Sequence, residues 1–139
     1  MVETEVIHAR GHEHVAGTHE STFEFTTDEY LTPAGDCILG IEADAAPADF
    51  DEDFVAAARR ADATVSATIE AGDHSHTITG RGDPDLVFES DRSLVGRTST
   101  YVDDRTVMLE ADEAAADVPR ALVATLADGA RATVRLTVE

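Results

Sequence analysis

Apolar and polar residues alternate at Val65, Ala67 and Ile69, and again at Val134, Leu136 and Val138, the two-residue period of strands with one buried face. Two nearly continuous apolar runs, Cys37 to Ile41 and Thr106 to Leu109, predict short strands covered on both faces. Between each run and its alternating segment the spacing becomes helical. Phe50, Phe54 and Ala58 recur every four residues, with Asp49 placed as an N-cap, acidic residues through Asp53, and Arg59 and Arg60 at the end. The second helix has Asp117 as its cap, Pro119 in its first turn, Val118, Leu122 and Leu126 on one face, and Gly129 as its stop. Ala71-Gly72-Asp73 predicts a hairpin turn into His74 to Gly80, and Val15 to Thr26 and Leu86 to Val95 supply further extended segments.

The pattern repeats. A displacement of 68 residues carries Ile41-Glu42-Ala43-Asp44 onto Leu109-Glu110-Ala111-Asp112, and Phe54-Val55-Ala56 onto Leu122-Val123-Ala124. One extra residue then aligns Thr64-Val65 with Thr133-Val134. Upstream, a displacement of 71 carries Arg10-Gly11-His12 onto Arg81-Gly82-Asp83 and Tyr30 onto Tyr101. The chain therefore predicts one domain over 1–139, built from two strand–helix–strand repeats at approximately 5–70 and 76–139, with eight or nine strands and two helices. Gly35-Asp36 ahead of an apolar run resembles the turn of cradle-loop and double-psi barrels, which are also two β-rich repeats. An α+β, barrel-like domain is the first expectation, and an open two-layer α/β sandwich the second.

Charge changes the picture of the solvent. The chain carries 29 acidic against 10 basic residues, a formal net charge of −19, and every basic residue is arginine. Lysine, asparagine, glutamine and tryptophan are absent. Such a surface suits a cytoplasm at molar salt, where a Debye length of about 3 Å leaves little self-repulsion. The arginines are scattered, so nothing predicts a nucleic-acid footprint. No apolar run is long enough for a membrane helix, and Met1 to Arg10 lacks the basic and apolar regions of a signal peptide. Cys37 is the only cysteine, which predicts no internal disulfide and suits a reducing cytosol.

Arg10-Gly11-His12, His19, Leu31-Thr32, Gly35-Asp36-Cys37-Ile38 and Gly82-Asp83-Pro84, in that order, resemble an archaeal family known as domain of unknown function 371. The resemblance spans nearly the whole chain and implies archaeal origin and a stand-alone domain, with no activity attached. His14 departs from the asparagine usual there, which weighs against a role demanding histidine.

Candidate chemistry gathers at the repeat junctions. His12 and His14 on an extended segment would present both rings to one side, and the repeat would set Asp83 and Asp85 opposite them, a ligand set suited to a divalent metal. Arg10 and Arg81, each before a glycine, could clamp a small anionic ligand, with His12, His19, Asp36 and Asp83 completing a cleft between the repeats. His74 and His76 sit at a hairpin tip and read as exposed. Cys37 opens an apolar run and reads as a buried, inert thiol, with Gly35-Asp36 forming a turn in which the Asp36 side chain caps backbone amides. Three functions follow: a ligand- or metal-binding module, which these residues favour; a metal-dependent, hydrolase-like enzyme with His12 or His19 as general base; and an interaction subunit whose histidines are incidental. The oligomeric state is left open.

Overall fold

The alternating segments form the long strands of one sheet, and the apolar runs form the short strands of another. The computed structural model describes residues 2–139. In chain order its elements are β1 (Glu3–Arg10), β2 (Thr22–Thr26), β3 (Ile38–Gly40), α1 (Glu52–Ala58), β4 (Thr64–Ala71), β5 (His74–Arg81), β6 (Ser93–Arg97), β7 (Thr106–Met108), α2 (Arg120–Ala127) and β8 (Arg131–Val138). A 3₁₀ turn precedes each helix, at Pro47–Asp49 and Ala115–Asp117. The first sheet is antiparallel and runs β1-β8-β4-β5; the second runs β3-β2-β6-β7, with β3 and β7 parallel to their neighbours.

Neither sheet closes on itself, so the expected barrel is corrected to two four-stranded sheets with two helices. The sheet edges are joined by short contacts, where Arg10 bridges Ile41 and Arg81 bridges Leu109 and where Asp44 and Asp112 N–H donate to the His8 and Thr79 carbonyls, both at 2.9 Å. The physical reason is length: β3 and β7 have three residues each, too few to form a regular ladder along those edges. Phe23 and Phe25 of β2, Leu94 of β6, Ile69 of β4 and Phe54 of α1 are fully buried in the common core. Helix α1 lies against β1 and β8, and α2 against β5 and β4.

Both halves repeat the same backbone hydrogen bonds. Gly11 N–H donates to Ala130 at 2.7 Å, and Gly82 N–H donates to Ala63 at 2.9 Å. At both glycines a helix carbonyl comes too close for any side chain. A Cβ on Gly11 would lie 1.7 Å from the Leu126 oxygen, and one on Gly82 2.1 Å from the Ala58 oxygen. These contacts fix the alignment of the halves and change it at the last strand. Arg10 pairs with Arg131 while Arg81 pairs with Thr64, so Thr64 corresponds to Arg131, not to Thr133. A slip of two residues preserves which face of a strand is buried, so alternation alone could not detect it.

Two further expectations change. Asp49 and Asp117 close the 3₁₀ turns instead of capping helices, accepting from Ala46 N–H at 3.0 Å and Ala114 N–H at 2.9 Å. Asp51 caps α1, accepting from Asp53 N–H at 2.8 Å. In the second half Pro119 forces Val118 into an extended conformation, which separates Asp117 from α2. The extended segments expected at Val15 to Thr26 and Leu86 to Val95 are regular strand only over Thr22–Thr26 and Ser93–Arg97. Left-handed turns at the corresponding residues Gly17 (φ 58°) and Phe88 (φ 51°) interrupt them.

Candidate functional site

The structure separates the residues expected to share one cleft. Strands β1 and β5 are the two edges of the first sheet, with β8 and β4 between them. Three strand spacings are about 14 Å. Along the strands, Ala9 is level with Ala132, Ala71 and His74, whereas Arg81 is level with Thr64. The seven residues from Thr64 to Ala71 add roughly 23 Å. Arg10 and Arg81 therefore occupy opposite corners of the sheet, and His12 and Asp83 beyond them do not converge. Among the described residues, no three His, Cys, Asp or Glu side chains are grouped to hold a metal ion.

What His12, His19 and Asp83 do is local. The Nδ1 of His12 accepts from His14 N–H at 3.0 Å, and Oδ1 of Asp83 accepts from Asp85 N–H at 2.8 Å. The correspondence seen in the sequence is one turn built twice, once with an imidazole and once with a carboxylate. The His14 ring lies tilted against that of His12, with centroids 5.2 Å apart. His19 Nδ1 accepts from Ser21 N–H at 3.3 Å and Thr22 N–H at 3.1 Å. Its counterpart, Ser90 Oγ, accepts from Arg92 N–H and Ser93 N–H, both at 3.2 Å. At Asp36 the backbone carbonyl, rather than the side chain, accepts, from Thr18 and His19 N–H at 3.0 and 3.3 Å. Arg81 is held by Asp83 at 2.7 Å and Glu110 at 3.0 Å, which raise its pKa in that order, while its guanidinium holds Asp83 below the usual carboxylate range. His76 also has a partner, Glu113, with Nε2 to Oε2 at 2.6 Å.

A cleft of about 310 Å³ opens at the C-terminal end of β1, lined by His8, Ala9, Arg10, Glu42, Asp44 and Arg131. Of these only Arg10 stood out in the sequence. Its Nε is paired with the Glu42 carboxylate, and its Nη1 faces the Gly11 carbonyl at 3.4 Å. Glu42 reaches this place from a left-handed backbone (φ 54°), repeated at its counterpart Glu110 (φ 51°). Asp44 grips His8 twice, accepting its N–H at 2.8 Å and contacting ring Nδ1 at 3.1 Å. Arg131 completes the wall from β8, directly opposite Arg10.

The second half lacks this chemistry at the corresponding place. Arg81, Glu110 and Asp112 are retained, and Asp112 accepts Thr79 N–H at 3.0 Å as Asp44 accepts that of His8. Thr79 replaces His8, Thr64 replaces Arg131, and Asp83 adds a second carboxylate to Arg81 where the first half has His12. The shared frame is structural. The additions at His8 and Arg131 belong to the cleft.

The model of the family described as domain of unknown function DUF371 matches residues 7–139, a span that contains every cleft residue. The chain belongs to that family. An uncharacterised protein of the archaeon Methanocaldococcus jannaschii is similar to it, 40% identical over 124 residues that cover 89% of this chain and 91% of that protein. No helix among the described residues of this DUF371 chain is long and apolar enough to cross a membrane.

A second polar cluster in this DUF371 domain is fully paired. Arg97 donates to Thr106 Oγ1 and Asp103, both at 2.9 Å, and lies over the Tyr101 ring at 4.9 Å. Arg105 bonds Asp103 at 2.7 Å and faces Glu24 at 3.7 Å. Burial raises the Asp103 pKa, but hydrogen bonds from Arg105 and Thr106 and the nearby Arg97 charge outweigh it and bring the value down to about 2. Half-buried Cys37 donates to Glu24 at 3.5 Å. Burial, then the Glu24 charge, pushes the thiol up to about 11, so it stays protonated and unreactive near neutrality.

Proposed function

We propose that this DUF371 domain is a binding module for a small anion with carboxylate or phosphate oxygens, seated in the cleft over Ala9. One observation carries the reading. The other nine arginines each have a hydrogen-bond or ion-pair partner, whereas the side chain of Arg131 has none among the described residues. Arg131 is exposed on the cleft wall, so its guanidinium is open to a ligand from solvent. Arg131 also stands directly across from Arg10, and like charges directly opposed on neighbouring strands are destabilising. A bridging oxyanion would reverse that repulsion and use the fork geometry of both groups. The cleft lies at the small end of ligand sites, which suits a small ion better than a dinucleotide.

The test is isothermal titration of the parent and an Arg131→Thr variant, which copies the second half, with phosphate, sulfate, acetate and glycolate. In about 1 M KCl, where nonspecific attraction is screened, at least one anion should bind the parent and bind the variant about tenfold more weakly or not at all. Failure of every anion to bind the parent would overturn the proposal. Two broader readings accompany it. The repeated hydrogen bonds and turn caps support an origin by duplication, and the lysine-free acidic surface supports a salt-rich, haloarchaeal cytoplasm.

A further inference from the structure

We infer that the cleft selects an oxyanion bearing its own O–H donor, hydrogen phosphate or a hydroxycarboxylate, over equally charged anions that have none. The inference rests on the anion-binding reading and concerns the acceptors placed among the cleft's donors. A site for a bare anion would offer donors alone. This one sets Glu42, Asp44 and His8 beside Arg10 and Arg131.

The orientation of His8 is fixed by its partner. Ionised Asp44 can only accept, so the contact between its Oδ2 and His8 Nδ1 places the proton on Nδ1. In a neutral ring the lone pair is then on Nε2. Asp44 also accepts the His8 N–H and so holds the residue from both its ring and its backbone. Glu42 is tied to Arg10, yet a carboxylate has lone pairs to spare. A fully deprotonated anion between the two arginines would face these acceptors with no hydrogen to offer them. An anion with an O–H would satisfy a guanidinium and an acceptor together. The second half supplies an internal contrast, because Thr79, at the position of His8, is not an obligatory acceptor.

Phosphate and sulfate form the deciding pair, being alike in shape and, at about pH 8, in charge. At that pH phosphate keeps one proton and sulfate none. Glycolate and acetate form the second pair, differing in a hydroxyl beside the carboxylate. Each would be titrated into the parent protein and a His8→Leu variant at matched ionic strength. Preference for phosphate over sulfate, or for glycolate over acetate, by about tenfold is expected, and which pair shows it identifies the source of the O–H. His8→Leu should shrink the preference, because Nε2 is one of the acceptors that carry it. Equal binding within each pair, or a preference unchanged in His8→Leu, overturns the selectivity and leaves the anion-binding reading standing. No binding of any anion overturns both.

Discussion

At His19 an imidazole nitrogen accepts the two backbone N–H groups that a hydroxyl oxygen accepts at Ser90. A turn cap of this kind is interchangeable with another short-range acceptor. His19→Ser should therefore unfold in urea within roughly 0.5 kcal/mol of the parent, and His19→Ala should lose about 1 kcal/mol, in the range of lost capping bonds. A general base would show the opposite pattern, with the fold indifferent to both changes. Asp103 gives a prediction in pH. Its carboxyl is lowered from 3.8 to about 2, so its contribution to stability is complete above the unfolded value and is lost as pH falls through the folded one. Asp103 is only partly buried, so solvent screening reduces what the shift is worth. Asp103→Asn should cost on the order of 1 kcal/mol at pH 7 in urea unfolding, and the gap should shrink between pH 4 and pH 2.

The elements were largely legible in the sequence, and the departures have specific causes. Helices at Phe54 and Leu122 and strands at Val65 and Val134 follow from periodicity and appear where it places them. What periodicity cannot see is a slip by two, and that slip hid Arg131. Aligning Thr64 with Thr133 left Arg131 outside the comparison; the hydrogen-bond register sets it against Thr64 and shows it as an arginine with no counterpart. Glu42 and Asp44 did coincide with Glu110 and Asp112 in the sequence, but their partners His8 and Arg10 come from a strand more than thirty residues away. The expectation that Asp83 and Asp85 would face His12 and His14 rested on the repeat, and a repeat relates residues by rotation and need not bring them together. At the scale of elements, Gly11→Ala and Gly82→Ala should each lose at least about 1–3 kcal/mol by forcing a strand end away from a helix carbonyl. Thermal unfolding would read both changes.

For the whole molecule, the excess of 19 negative charges predicts a fold that depends on salt. Raising KCl from about 0.1 M to about 2 M shortens the screening length from about 10 Å to below 3 Å. The unfolding midpoint should rise steeply over that range and level off, and a flat response would contradict the high-salt reading. Within this charged surface the two halves carry one frame and two chemistries. In the proposed function His8 and Arg131 turn the first copy of that frame into a binding site while the second remains structural. The most direct test is a phosphate titration followed by two-dimensional ¹H–¹⁵N NMR, with the second half as its own control. Saturable shifts are expected at His8, Ala9, Arg10, Glu42, Asp44 and Arg131, with Thr79, Gly80, Arg81, Glu110, Asp112 and Thr64 unmoved. Equal shifts in both sets, or none in the first, would contradict it.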